Sequence, residues 1–128
     1  MIRNGCLTLL IAVALAACGR GSAATLDQPI QLAPGEWANF QAERLEVKFA
    51  GIAADSRCPN DVTCVWAGEV VVRLTLRRDS RNKEVSVKET QSVAVDGYTI
   101  SILQVLPPRA SSTPVPAADY RITLKITR

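Results

Sequence analysis

The chain of 128 residues contains no histidine. That removes the commonest general base and the usual hydrolytic triads. Other chemical signatures are missing too: no Gly-x-Ser-x-Gly, no phosphate-binding loop, no dinucleotide fingerprint and no calcium loop. A carboxylate pair acting on a glycosidic bond would need a cleft, and a small domain has little room for a deep one. The expectation is a protein that is not an enzyme and needs no cofactor. Charge of one sign is also scarce. The formal net charge is +3, and only Arg77, Arg78, Arg81 and Lys83 form a local basic cluster. With no recognised motif beside so modest a charge, nucleic acid is not an expected partner.

A long apolar run occurs only at the start. Arg3 supplies a positive charge, and Cys6 to Ala17 is then almost wholly apolar. About a dozen residues are too few to span a bilayer comfortably, which points to an export signal. The run ends Leu15-Ala16-Ala17-Cys18-Gly19. This resembles the bacterial lipobox, in which the signal is cut before a cysteine that has received a diacylglyceryl group. The resemblance implies lipidation at Cys18; an ordinary signal peptide or an uncleaved anchor is the alternative. A mature lipoprotein carries at least two acyl chains, enough for stable anchoring where one chain gives only marginal binding. Gly19 and Arg20 follow, with no Asp. By resemblance to the sorting rules of diderm bacteria, this implies an outer-membrane protein facing the periplasm. The expected organisation is a signal peptide over 1–17, a lipidated small-residue tether over 18–28 and one folded domain over 29–128.

Four cysteines are present. Cys6 leaves with the signal and Cys18 is taken by lipid, so Cys58 and Cys64 remain as an even pair in an oxidising compartment. Five residues separate them, among them the turn-prone Pro59-Asn60-Asp61. A loop of this length brings two Cα atoms within disulfide range, and a disulfide is the expected state. Two free thiols and a metal site are the alternatives. No metal is expected, because two thiolates without histidine do not complete a zinc site.

Trp66 follows the loop. It is expected to pack as a core or rim residue beside the disulfide, capping one end of the core. The alternative is an exposed aromatic that contacts a ligand together with Asp55 and Glu69. Solvation explains loop carboxylates such as Asp55, Asp61 and Glu69 more simply than an acidic site does, and Asp55 is expected to bond locally beside Arg57. Gly68 permits a bend before the next strand.

The run Asp55-Ser56-Arg57-Cys58-Pro59 followed by Cys64-Val65-Trp66-Ala67-Gly68-Glu69 resembles a pattern in small, exported, largely uncharacterised bacterial proteins, many of them expected lipoproteins. The resemblance covers 55–69 and the neighbouring strands loosely. It agrees with paired cysteines and an envelope location, and it implies no activity.

The rest of the chain reads as strands. Ile30–Leu32 precedes a Pro34-Gly35 turn, and Trp37 and Phe40 open a second strand. Leu45, Val47 and Phe49 alternate with polar residues. A helix over Glu36 to Lys48 is the competing reading, because Glu, Ala, Arg and Leu are good helix formers. Val70, Val72, Leu74 and Leu76 share a face, Val85 and Val87 follow a polar turn, and Asp96-Gly97 is a two-residue hairpin signal. Tyr98, Ile100 and Ile102 line a further strand. A proline-rich stretch over 107–116 leads to Tyr120, Ile122, Leu124 and Ile126. Seven or so strands without a convincing helix predict an all-β antiparallel sandwich, with a small barrel as the alternative. The functional expectation is a lipid-anchored envelope protein acting as a non-catalytic binding module for an envelope protein or glycan. The alternative is a carrier holding an apolar ligand between its sheets.

Overall fold

The computed structural model describes residues 21–128. The signal segment, Cys6 and the expected lipid attachment at Cys18 lie outside the described residues. The alternating stretches become strands because each has one apolar face to bury, and two such faces close on each other. In chain order these are β1 (Ser22–Ala23), β2 (Ile30–Leu32), β3 (Trp37–Phe40), β4 (Leu45–Asp55), β5 (Val70–Arg78), β6 (Arg81–Lys88), β7 (Ser92–Val95), β8 (Tyr98–Leu106) and β9 (Arg121–Thr127). One sheet has the order β1-β3-β4-β5-β6 and the other β2-β9-β8-β7. The two sheets pack face to face and do not close into a barrel, so the architecture is the sandwich.

The core between them is mostly aliphatic, with Phe40 and Phe49 as its largest fully buried side chains and Tyr98 and Tyr120 at its margins. Val47, Phe49, Val72 and Leu74 come from the first sheet and Ile100, Ile102, Ile122, Leu124 and Ile126 from the second, all fully buried. Every residue of the expected Val70/Val72/Leu74/Leu76 face is buried. Two hairpins use tight two-residue turns. Asp79 and Ser80 join β5 to β6, and Asp96 and Gly97 join β7 to β8, all four with positive φ. That is the twist a right-handed β-ribbon accepts.

The helix over Glu36 to Lys48 does not form. Trp37–Phe40 and Leu45–Asp55 pair antiparallel, separated by one 3₁₀ turn at Gln41–Glu43 and by Arg44 in the left-handed region. Burial of Phe40, Leu45, Val47 and Phe49 on the sheet outweighs the helical propensity of the intervening residues. The expected tether also requires correction. Ser22 and Ala23 pair in parallel with Ala38 and Asn39 on β3, and Ala24 and Leu26 pack against the core. The packed part therefore reaches back to Ser22 rather than starting at Pro29.

The register gives the molecule two distinct ends. At one end lie the tight Asp79-Ser80 and Asp96-Gly97 turns. At the other, β4 ends at Asp55 opposite Val70, and β8 ends at Leu106 opposite Arg121. The residues between Asp55 and Val70, and those between Leu106 and Arg121, are thereby brought together.

Candidate functional site

The cysteine loop, residues 56–69, is closed at its base by the backbone. Ser56 N donates to Glu69 O at 2.8 Å, and Cys58 N donates to Ala67 O at 3.1 Å. The Ser56 hydroxyl donates to Glu69 O and accepts from Glu69 N, both at 3.1 Å. Cys58 and Cys64 form the expected disulfide, with Cα atoms 5.9 Å apart. Gly68 has φ +69°, and a Cβ there would lie 1.8 Å from Ser56 O. The two strands of the loop base approach too closely for any side chain, so this position demands glycine for space as well as for conformation.

The loop is tied to the proline-rich stretch as well. Asn60 N donates to Arg109 O at 3.0 Å. The Ser112 backbone N–H and hydroxyl both reach the Asp61 carboxylate at 3.3 Å. Beneath these contacts lies a cluster that sequence reading did not assemble. The Asp55 carboxylate accepts from Arg57 Nε at 2.9 Å, from Arg57 Nη2 at 2.8 Å and from the Tyr120 hydroxyl at 2.7 Å. Arg57 continues to the carbonyl oxygens of Val105 and Pro107 at 3.3 and 3.0 Å, and Arg109 Nη1 donates to Asp55 O at 3.2 Å. The Asp55 and Arg57 side chains are only 8% and 14% exposed. Burial pushes the Asp55 carboxyl upward, but the hydrogen bonds from Arg57 and Tyr120 outweigh it and hold the group below its ordinary value. Burial, and then the bond to Asp55, push the Tyr120 hydroxyl up.

The expected local bond between Asp55 and Arg57 is present, but Asp55 is no loop carboxylate in solvent. Its oxygens face Arg57 and Tyr120, which removes it from a ligand-contact role. Glu69 stays at the surface and pairs with Lys88 at 2.9 Å. Arg109, Tyr120 and the reach of Arg57 to Val105 and Pro107 are what pattern reading missed. No motif relates them, because their partners lie about 50 or more positions away in the chain.

Trp66 is the principal correction. It does not cap the core: it is 81% exposed, its neighbour Val65 is 90% exposed and Val62 is 46% exposed. The physical reason is that the end of the core beneath the loop is already closed. Val70, Val105 and Tyr120 fill it, and Tyr120 is held there by its bond to Asp55. Trp37, the other indole, is half-buried on the outer face of the first sheet, with the Arg77 guanidinium 4.4 Å and the Lys48 ammonium 5.6 Å from its ring centre.

A cleft of about 730 Å³ lies at the opposite end of the molecule, against Leu45, Leu76, Arg78, Arg81, Lys83 and Asp96. It is an open, mixed polar and apolar recess beside the hairpin turns, not a chamber between the sheets.

The disulfide carries a direct expectation. Replacing Cys58 and Cys64 by Ser releases a ring of seven residues and should lower unfolding stability by roughly 2 kcal/mol in the loop-entropy treatment. Chemical denaturation measures this. An unchanged midpoint would mean that the backbone ladder and the contacts to the proline-rich stretch fix the loop without the bridge.

Comparison with protein-family models, with curated proteins and with solved structures returns no match.

Proposed function

We propose that the protein is a lipid-anchored, non-catalytic interaction module of the cell envelope, and that the cysteine loop is its contact element. One observation carries the reading. Val65 and Trp66 project into solvent from a loop fixed by a disulfide, a backbone ladder and bonds to a second loop. Holding a large apolar pair in water has no benefit for folding, whereas a pre-ordered aromatic tip suits binding, because little ordering entropy remains to be lost. The carrier reading finds less support. Side chains fill the space between the sheets, and the large cleft is open and half polar.

Anchoring rests on the lipobox-like Leu15-Ala16-Ala17-Cys18. Cys18→Ala should leave the protein unprocessed or soluble. A variant that fractionates with membranes at the mature size, as the parent does, would contradict the anchor. For the contact element, an apolar dye added to the protein separates the readings. A saturable, stoichiometric rise in fluorescence would favour the carrier, and its absence is the expected result.

A further inference from the structure

The geometry points to the lipid bilayer as the surface that the Val65–Trp66 tip meets: we propose that the tip seats in the headgroup region of the membrane that holds the acyl anchor. This rests on the anchoring reading above and names the partner of the same loop.

The argument begins with chain direction. β1 runs parallel to β3, and β3 runs toward the end of β4 that begins at Leu45. The chain therefore enters β1 heading away from the cysteine-loop end, with Gly21 beside Trp37 on that side of Ser22. Ser22 pairs with Ala38, which pairs with Val47 on β4. Three peptide steps separate Gly21 from Cys18, a reach of about 11 Å at most. So short a link gives the domain no stalk and holds the β1 edge against the bilayer. The loop leaves β4 at Asp55, eight residues past Val47, roughly 20–25 Å further along the strand once its bulges shorten it. The link cannot cover that span with the sandwich upright. A tilted domain brings the β1 edge and the loop tip to the membrane together.

The chemistry of the tip agrees with that placement. Tryptophan has an apolar ring and one N–H donor, the combination enriched at bilayer interfaces. Val62 and Val65 extend the apolar surface, on and beside the loop that the disulfide closes. The charges nearby are already engaged: Glu69 with Lys88, Asp61 with Ser112, and Arg57 with Asp55. Among the described residues the tip has no cluster of free cations, so its attraction to lipid is apolar and should be insensitive to salt, unlike that of a polybasic patch.

The test uses the full chain, purified in its membrane form with Trp37→Phe so that Trp66 is the sole indole, and reconstituted in phosphatidylcholine vesicles. The expected result is blue-shifted Trp66 emission that is quenched by lipids bearing a nitroxide near the headgroup and protected from aqueous iodide, at low and high salt alike. Intact mass on the same sample reports acylation. An acylated protein whose Trp66 is quenched by iodide and untouched by nitroxide lipid overturns the seating while leaving the anchor standing. A protein without acyl mass overturns both. Crosslinking from position 66 to a protein or glycan, in place of lipid, also overturns the seating and assigns the tip to that partner.

Discussion

Gly68→Ala is expected to destabilise the protein by about 3–4 kcal/mol, combining a left-handed residue with a side chain, about 1–2 kcal/mol, with loss of about two hydrogen bonds at the loop base. The conformational part alone cannot account for this. Gly97 also has positive φ, but a Cβ there meets nothing within 4 Å. Gly97→Ala should therefore carry only the left-handed cost of about 1–2 kcal/mol. At Gly68 the added carbon would meet the Ser56 carbonyl, so the bonds from Ser56 and Cys58 across the loop base must open. Chemical denaturation of the two variants side by side measures the difference. Equal losses would mean that the loop base yields freely and that the close approach of Gly68 to Ser56 does not hold the loop.

The second large effect belongs to Arg57. Arg57→Ala should cost about 3 kcal/mol near neutral pH, the lower end of the range for breaking a buried ion pair. It removes three groups of bonds at once: to Asp55, to Val105 and to Pro107. The pH dependence identifies the cause. In the parent, Asp55 is held below its ordinary value of 3.8, so the folded state binds that proton less readily than the unfolded chain. The stability this contributes is complete above the unfolded value and is lost as pH falls through the lower, folded value. Without Arg57 the bonds and charge of the guanidinium are lost, so the carboxyl of Asp55 rises from its value in the parent. The deficit of Arg57→Ala relative to the parent should therefore shrink as pH falls from neutrality to about 3, where a protonated Asp55 no longer requires its cation. A deficit constant across that range would mean that the carbonyl contacts, not the ion pair, carry the effect.

Much of the sheet framework was legible because period-two alternation has a direct physical cause: one face buries and the other does not. Val70 to Leu76 and Ile122 to Ile126 show this without interruption. Where the period breaks, reading stopped early. β4 continues past Phe49 to Asp55 through register shifts between Phe49 and Gly51 and between Ile52 and Ala54, and no alternation survives them. A shift between Ile102 and Gln104 interrupts the alternation in β8 too, leaving Leu103 exposed while Val105 returns to the core, yet the strand runs on to Leu106 as the sequence leads one to expect. β1 was hidden for a different reason. Two small residues carry no pattern, and only the neighbouring β3 edge makes them a strand.

The candidate site divides along the same line. The disulfide follows from local spacing and cysteine pairing, and so it was readable. The Asp55–Arg57–Tyr120 cluster was not, because Tyr120 reaches the site only after β8 and β9 pair across the second sheet. Trp66 was misplaced for a related reason. An aromatic beside a disulfide ordinarily has apolar surface to cover, but Tyr120 and Val105, far along the chain, already cover it.

The central claim is that the cysteine loop is built to hold Trp66 outward, with its own scaffold complete without that side chain. Chemical denaturation of Trp66→Ala tests it most directly. The expected result is a midpoint that matches the parent, a stability change within about 0.5 kcal/mol, as for surface positions without structural partners. A loss of roughly 3–5 kcal/mol, the cost of emptying a buried aromatic site, would contradict the account and return Trp66 to the core.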